Sequence, residues 1–263
     1  MSAAIAEGGT AIVAEGIVKQ FRGVRALDNV DMTVSEREIV GLIGPNGSGK
    51  TTLLNVASGV LRPTAGRIEV AGHTATGERP HVFARLGVGR TFQQIRLFGD
   101  MTVRENVEVG AVAGRRPIAT VGPLLKQIGL EADSERMAAT LAYGQQRRVE
   151  IARALAGGPR FLLLDEPAAG MNERESDDLL ETIKVVRDER GLGVLIVDHD
   201  LRLIMRLCER IHVLAEGRTI CEGSPQAVRS DRGVIEAYLG KAAADAGAAG
   251  DSDSTTDEEE GAR

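Results

Sequence analysis

Eight consecutive residues, Gly44-Pro45-Asn46-Gly47-Ser48-Gly49-Lys50-Thr51, follow the pattern G-x-x-x-x-G-K-[ST]. Their types suit one task, surrounding the phosphate groups of a nucleotide. Glycines let backbone N–H groups turn inward, and a helix starting here would aim the positive end of its dipole at the same negative charge. Lys50 would reach the β and γ phosphates; the Thr51 hydroxyl would ligate Mg²⁺, and Thr52 completes the segment assigned to the nucleotide. A Gly-rich turn with no ligand is the plainer alternative, but the flanks argue against it. Glu38 to Ile43 reads as a short apolar strand and Thr51 to Val56 as a helix, the context this loop requires.

A second group of residues can complete that chemistry. Phe161-Leu162-Leu163-Leu164-Asp165-Glu166 is an apolar run ending in two acids. Asp165 can hold Mg²⁺ through water, and Glu166 is placed to polarise an attacking water, a general-base role worth ~10²–10⁴-fold in rate. An acid pair at a strand end could also merely cap the next helix; the phosphate loop upstream favours the catalytic reading.

Such residues converge only if strands deliver them side by side. Ala11 to Val40 alternates short β-like runs with turns, which predicts an antiparallel region. Arg67-Ile68-Glu69-Val70 and Leu86-Gly87-Val88 read as further strands, and Val103 to Arg136 as a helical stretch. A helix over Gln145 to Leu155 leads into the strand Phe161 to Asp165, and one over Asp178 to Arg190, with Leu179, Leu180, Ile183 and Val186 on one face, leads into Val194 to Val197. A helix from Leu201 to Arg210 and a hairpin over Ile211 to Gly223, turning at Glu216-Gly217, follow. This alternation predicts an α/β protein with a parallel sheet and crossover helices.

Leu141-Ala142-Tyr143-Gly144-Gln145, continued by Gln146-Arg147-Arg148-Val149-Glu150, resembles the signature of the ABC ATPases. The resemblance implies a P-loop ABC ATPase fold: a RecA-like parallel-sheet core, an antiparallel β subdomain and a helical subdomain at about 95–155, in one domain over 1–240. It implies that Ala142, Tyr143, Gly144 and Gln145 face the γ-phosphate held by the opposite subunit, at a helix N-terminus. It also implies that Phe21 stacks on adenine, that Gln93 senses Mg²⁺ and the permease, and that His199 is the switch histidine. Asn172 stands where many relatives carry an aspartate. His73, His81 and His212 fit no site and are read, with Arg147, Arg148 and Arg153, as structural or solvent-facing. Met101, Met137 and Met205 are read as packing, and Cys208 and Cys221 as buried small apolar residues.

Arg90-Thr91-Phe92-Gln93, Ala168-Ala169-Gly170-Met171-Asn172 and Val234 to Gly240 resemble the importers of branched-chain amino acids within that family. The resemblance implies an ATPase bound to transmembrane permease subunits, paired with a second ATP-binding chain or with its own copy, and served indirectly by a substrate-binding protein. Its ligands would be ATP and Mg²⁺. Two departures stand out: the stretch from Asn106 to Leu141 is short, and Ala142 replaces the serine common in the wider signature, removing one hydroxyl. Transport of another solute class, such as urea or lipid, and a non-transport ABC ATPase are the alternatives. A DNA-acting relative would need a long coiled coil between Lys50 and Asp165, a translation-factor relative two cassettes, and a phosphate-loop kinase would lack the signature.

Composition agrees. The chain has 32 basic and 38 acidic residues, net −6; residues 241–263 hold seven acids against Lys241 and Arg263, leaving 30 against 31 in the remainder. No overall basic excess recommends nucleic acid as a partner. The tail, rich in Ala, Gly, Asp and Glu, is expected to be disordered. No apolar run approaches the ~20 residues that span a bilayer, so the chain is expected in the cytoplasm, peripheral on the inner face of the membrane.

Overall fold

The structure, a computed structural model, describes residues 11–238; the acidic tail expected at 241–263 lies outside them. Strands β1 (Ala11–Phe21) and β2 (Val24–Ser35) pair antiparallel. They join through Arg22 and Gly23, both at positive φ, the geometry that matches hairpin twist. β3 (Ile39–Ile43) leads through the loop 44–49 into α1 (Lys50–Ala57). β4 (Ala65–Val70) and β5 (His73–Thr74) return to the hairpin, giving a four-stranded sheet in the order β2-β1-β4-β5.

After α2 (Pro80–Arg85) and β6 (Val88–Arg90) come three helices, α3 (Val103–Ala113), α4 (Val121–Gln127) and α5 (Tyr143–Ala156). Then follow β7 (Phe161–Asp165), α6 (Glu173–Arg190), β8 (Gly193–Val197), α7 (Leu201–Leu207), β9 (Arg210–Ala215), β10 (Arg218–Gly223) and α8 (Pro225–Ser230). The second sheet runs β10-β9-β3-β8-β7-β6, parallel throughout except for the β9–β10 hairpin. This is the α/β architecture the sequence predicts.

The central strands are apolar at nearly every position because the sheet is buried on both faces. Successive side chains alternate between two cores. Ile39, Ile43, Leu162, Leu164, Val194 and Ile196 join the core shared with helices α3 to α7. Val40, Leu42, Phe161, Leu163, Leu195 and Val197 join a second core, shared with α1 and the antiparallel sheet. Both cores are needed to hold the loop after β3 and the acids after β7 on one edge.

α3 begins with a reciprocal cap. Thr102 accepts from the Glu105 N–H at 3.1 Å, and Glu105 accepts from the Thr102 N–H at 2.7 Å. Its buried Asn106 accepts from the Phe98 N–H at 2.9 Å and donates to the Phe98 carbonyl at 3.0 Å, tying the segment after Gln93 to the helix. α3 lies close against α5: a Cβ added to Gly110 would stand 2.0 Å from the Arg153 carbonyl oxygen.

Several expectations are corrected. β6 starts at Val88 rather than Leu86, because Gly87 takes φ 98° and its carbonyl accepts from the N–H groups of Arg160 and Phe161. α7 stops at Leu207, and Arg210 already belongs to β9 beside β3. Cys208 is buried, which pushes its thiol pKa up, whereas Cys221 is only half-buried. Met137 is exposed rather than packed. Of the two readings open for Arg147, structural or solvent-facing, its full burial supports the structural one.

Candidate functional site

Loop 44–51 is shaped by its glycines. Gly44 and Gly49 take φ 150° and 106°, and a Cβ on either would collide with backbone, the Leu214 carbonyl oxygen at 2.0 Å and the Ala26 carbonyl oxygen at 2.6 Å. The walls therefore press on the loop from β9 and β2. The β9–β10 turn fixes it further: Gly217 N–H donates to the Ser48 carbonyl at 3.0 Å, and Asp28 N–H donates to the Gly217 carbonyl at 2.8 Å. Lys50 Nζ folds back onto the Gly44 and Pro45 carbonyls at 2.7 and 2.9 Å. The Ser48 hydroxyl is buried and makes no hydrogen bond among the described residues. A cradle with a cation over it and an unspent buried donor fits a phosphate chain. Thr51 and Thr52, in the first turn of α1, are exposed and half-buried.

The acids stand next to this loop by way of a residue to which no role was given in the sequence. Arg90, at the end of β6, donates to Asn55 Oδ1 on α1 and to Ser58 Oγ just after it, both at 2.7 Å, and to Asp165 Oδ2 at 3.3 Å. It staples the helix of the phosphate loop to the end of β7. Burial pushes the Asp165 carboxyl up from its ordinary range, while Arg90 pulls it back. Among the described residues no group of three or more His, Cys, Asp or Glu forms a metal cage. The oxygen donors present, Thr51 and Asp165, suit Mg²⁺, which is commonly held by one or two protein ligands together with phosphate oxygens.

Glu166 sits at φ 48°, left-handed backbone that a β-carbon tolerates poorly, with its N–H bonded to the Val197 carbonyl at 2.8 Å. Gln93 Nε2 donates to Glu166 Oε2 at 3.1 Å, and His199 Nδ1 lies 3.9 Å from the same oxygen. The structure thus gathers Glu166, the general-base candidate, with Gln93 and the switch histidine His199. Buried Asp198, which the sequence reading did not single out, lies 3.7 Å from His199 Nδ1 and accepts from the Asp200 N–H at 3.0 Å. Burial pushes its carboxyl up. The arrangement can orient and deprotonate a water beside a phosphoryl group.

The other sequence-predicted residues make different contacts. Phe21 ends β1 with 42% of its surface exposed and Lys19 Nζ 5.0 Å from its ring centre, so the ring offers an open face. Ala142, Tyr143, Gly144 and Gln145 open α5; their contacts run to Asp133, accepting from Gln145 Nε2 at 2.7 Å, and toward Gly170 and Glu175. Asn172 caps α6, accepting from the Glu175 N–H at 2.9 Å. Tyr238 was quoted only as part of a terminal motif, yet its ring packs on the helical core, and burial pushes its pKa up. His212 is buried against Thr219 at 2.9 Å, and His73 and His81 are exposed.

Comparison with known proteins agrees with this geometry. The family described as ABC transporter matches residues 27–169, and that described as Branched-chain amino acid ATP-binding cassette transporter matches 218–244. The chain is 40% identical over 246 residues to the high-affinity branched-chain amino acid transport ATP-binding protein BraF of Pseudomonas aeruginosa, covering 86% of this chain and 96% of that one. It is 35% identical to the lipopolysaccharide export system ATP-binding protein LptB of Escherichia coli strain K12, covering 88% and 97%. Among solved structures, the ADP conformation of the ATP-binding cassette MJ1267 superposes with a TM-score of 0.81 at 31% identity, covering 88% of this chain and 99% of that one. The dimeric cassette MJ0796 bound to ADP and phosphate gives 0.74 at 28%, covering 81% and 98%.

Proposed function

Because the chain belongs to the ABC transporter ATP-binding family, we propose that it is the ATP-hydrolysing subunit of an importer for branched-chain amino acids. The observation that carries the catalytic part is the approach of Gln93 and His199 to the Glu166 carboxylate on an edge shared with the phosphate loop. Glu166 accepts the proton of the attacking water, Gln93 and His199 fix its carboxylate, and Lys50 with the loop N–H groups holds phosphate charge. Thr51 and Asp165, with Gln93 alongside, are the residues that would hold Mg²⁺, which neutralises charge on the phosphates when bound. Phe21 supplies the face for adenine. Ala142 to Gln145 contribute to the phosphate held by a second chain.

Subunits of this family bind nucleotide, form dimers and work with membrane permeases. No helix among the described residues is long and apolar enough to cross a membrane. By its family we place the chain on the inner face of permease partners that supply the membrane spans. We assign the ATPase domain to residues 1–240, with the helices between about 95 and 155 as the subdomain facing the permease. A second ATP-binding chain and an external binding protein complete the proposed assembly.

The match over 218–244 and the similarity to BraF favour branched-chain amino acids; similarity to LptB supports lipid export as the second reading. The test is ATP hydrolysis by the chain reconstituted with its permeases and binding protein in lipid vesicles. Leucine, isoleucine or valine should raise turnover and enter the vesicles, and urea should do neither. Hydrolysis raised by lipopolysaccharide instead would replace the importer with the exporter, and no hydrolysis under any condition would remove the ATPase assignment.

A further inference from the structure

Arg147 lies in the second turn of α5 with none of its side chain exposed. Such a residue is almost never fully buried unless it is paired. Its partner is Glu150, one helical turn on, at 2.7 Å and 2% exposed. Burial pushes the Glu150 carboxyl up and the adjacent guanidinium pulls it back.

Neutralising Glu150 does not explain where the rest of the guanidinium points. One terminal nitrogen donates to the Phe92 carbonyl and the other to the Gln93 carbonyl, each at 2.6 Å. Glu150 takes a third backbone group in the same place, accepting from the Phe92 N–H at 3.4 Å. The pair therefore grips three backbone groups of residues 92 and 93, and the fork of an arginine matches two carbonyls as a lysine ammonium would not. With its backbone so held, Gln93 reaches Glu166 with its side chain.

The same guanidinium also faces the start of its own helix. It donates to the Tyr143 hydroxyl at 3.3 Å, and the Tyr143 ring lies against Gly170, where a Cβ would stand 3.1 Å from it. One buried cation thus touches the signature segment at one end and the backbone of Gln93 at the other. Displacement of α5 must either drag residues 92 and 93 with it or break charge-assisted hydrogen bonds in a dry interior, where they are strongest.

We propose that the buried Arg147–Glu150 pair is a positioning device for the hydrolytic reaction: it locks the backbone of Gln93 to α5, so that the seating of Gln93 on Glu166 follows the placement of the signature helix. The inference rests on the ATPase reading above. Arg147 and Glu150 act on the Glu166 carboxylate through Gln93, and Arg147 also meets the signature segment at the Tyr143 hydroxyl.

The experiment compares the full chain with Arg147→Lys, Arg147→Met, and Arg147→Met combined with Glu150→Gln. Four quantities are measured: thermal midpoint, ATP turnover, KM for ATP, and amide hydrogen exchange across residues 91–97. Arg147→Met alone should lower stability and turnover together, because it leaves Glu150 buried without its cation. The neutral double variant should recover most of the midpoint, yet keep turnover at least about tenfold down and exchange in 91–97 raised, with KM within about threefold. Arg147→Lys keeps the charge but not the fork, and should show the same split if the double variant fails to fold. In a Gln93→Ala background, Arg147→Lys should cost no further turnover. Turnover that returns to the wild-type value along with stability, or a loss that simply adds to that of Gln93→Ala, would overturn the proposal and leave an ordinary core ion pair. Hydrogen exchange separates this outcome from failure of the ATPase reading, since protection of 91–97 by Arg147 does not depend on hydrolysis.

Discussion

Two glycine-bearing segments in this molecule open helices and can meet anions, and they are built in opposite ways. The loop before α1 uses left-handed glycines at 44, 47 and 49, pressed from outside by backbone of β2 and β9, and Lys50 lies over it. The segment before α5 has Gly144 inside the helix at ordinary φ, with only the Glu175 carboxylate nearby at 3.6 Å, and no cation among residues 141–146. Ala142 at the N-cap is exposed and supplies no side-chain acceptor. The first loop carries everything a phosphate chain needs; the second carries a helix dipole and open N–H groups with nothing to hold a phosphate by itself. The difference is that between a whole binding site and half of one, and under the proposed function the missing half is supplied by another chain.

The largest expected effect tests whether the halves meet. Glu166→Gln keeps the shape of the acid without its basicity, so turnover should fall ~10²–10⁴-fold while nucleotide binding persists. ATP should then accumulate a dimer on a sizing column. A variant that stays monomeric in ATP leaves the α5 segment without an occupant and breaks the comparison.

Next in size, Lys50→Ala and Gly144→Asp should each lower hydrolysis by about 10²-fold, on the scale of losing one preorganised charge-stabilising contact. Mixed together, the two proteins should regain part of it. In a mixed dimer both lesions fall in one composite site, and the other site is intact. Where the physiological partner is a second ATPase chain, the lesions are divided between the two chains. No recovery in a verified mixed dimer would place both residues on one ATP within one chain.

The two segments should also answer the same substitution with opposite sign. Gly49→Ala puts a Cβ 2.6 Å from the Ala26 carbonyl at φ 106°, and should cost on the order of 2–3 kcal/mol in denaturant unfolding. Gly144→Ala finds ordinary contacts in a helix, and should be neutral or stabilise by up to about 1 kcal/mol. Equal losses at both positions would show that the second segment is as tightly walled as the first.

Most of this was legible because it is local. The phosphate loop, the strand before it and the acids after β7 are contiguous patterns, and the alternation of Val194 to Val197 between two cores follows from strand period alone. Nothing local separates a structural from a solvent-facing Arg147, because arginine in a polar helix is ordinarily a surface residue and what decides it, the carbonyls of Phe92 and Gln93, lies 55 and 54 positions away. Its i,i+3 spacing to Glu150 was the available signal. Arg90 was quoted in a motif, yet its grip on Asn55, Ser58 and Asp165 depends on β6 and α1 being neighbours, which no local pattern reveals. The left-handed Glu166 had no signal at all, since its residue type gives no reason to expect positive φ.

The smallest expected effect tests the open end of α5 directly. Ala142 occupies the N-cap position with extended backbone, φ −61° and ψ 153°, the conformation a capping serine adopts. Half of a reciprocal cap is already present, because Gln145 Oε1 accepts from the Ala142 N–H at 3.4 Å. Ala142→Ser adds the other half: its hydroxyl can accept from the Gln145 N–H, satisfying one of the donors the helix leaves open. Alanine at such a position costs ~0.5–2 kcal/mol relative to serine. The exposed setting argues for the lower part of that range, so a gain of about 0.5–1 kcal/mol is expected, a rise of roughly 1–4 °C in thermal midpoint for a domain of this size. In the isolated chain the hydroxyl should act only as a cap, raising the midpoint without ATP. In the ATP-bound dimer the same oxygen can turn to the partner's phosphate, so ATP should stabilise the dimer further. A higher midpoint without tighter ATP-dependent dimerisation would confine residue 142 to capping, and an unchanged midpoint would mean that α5 does not begin where the structure has it.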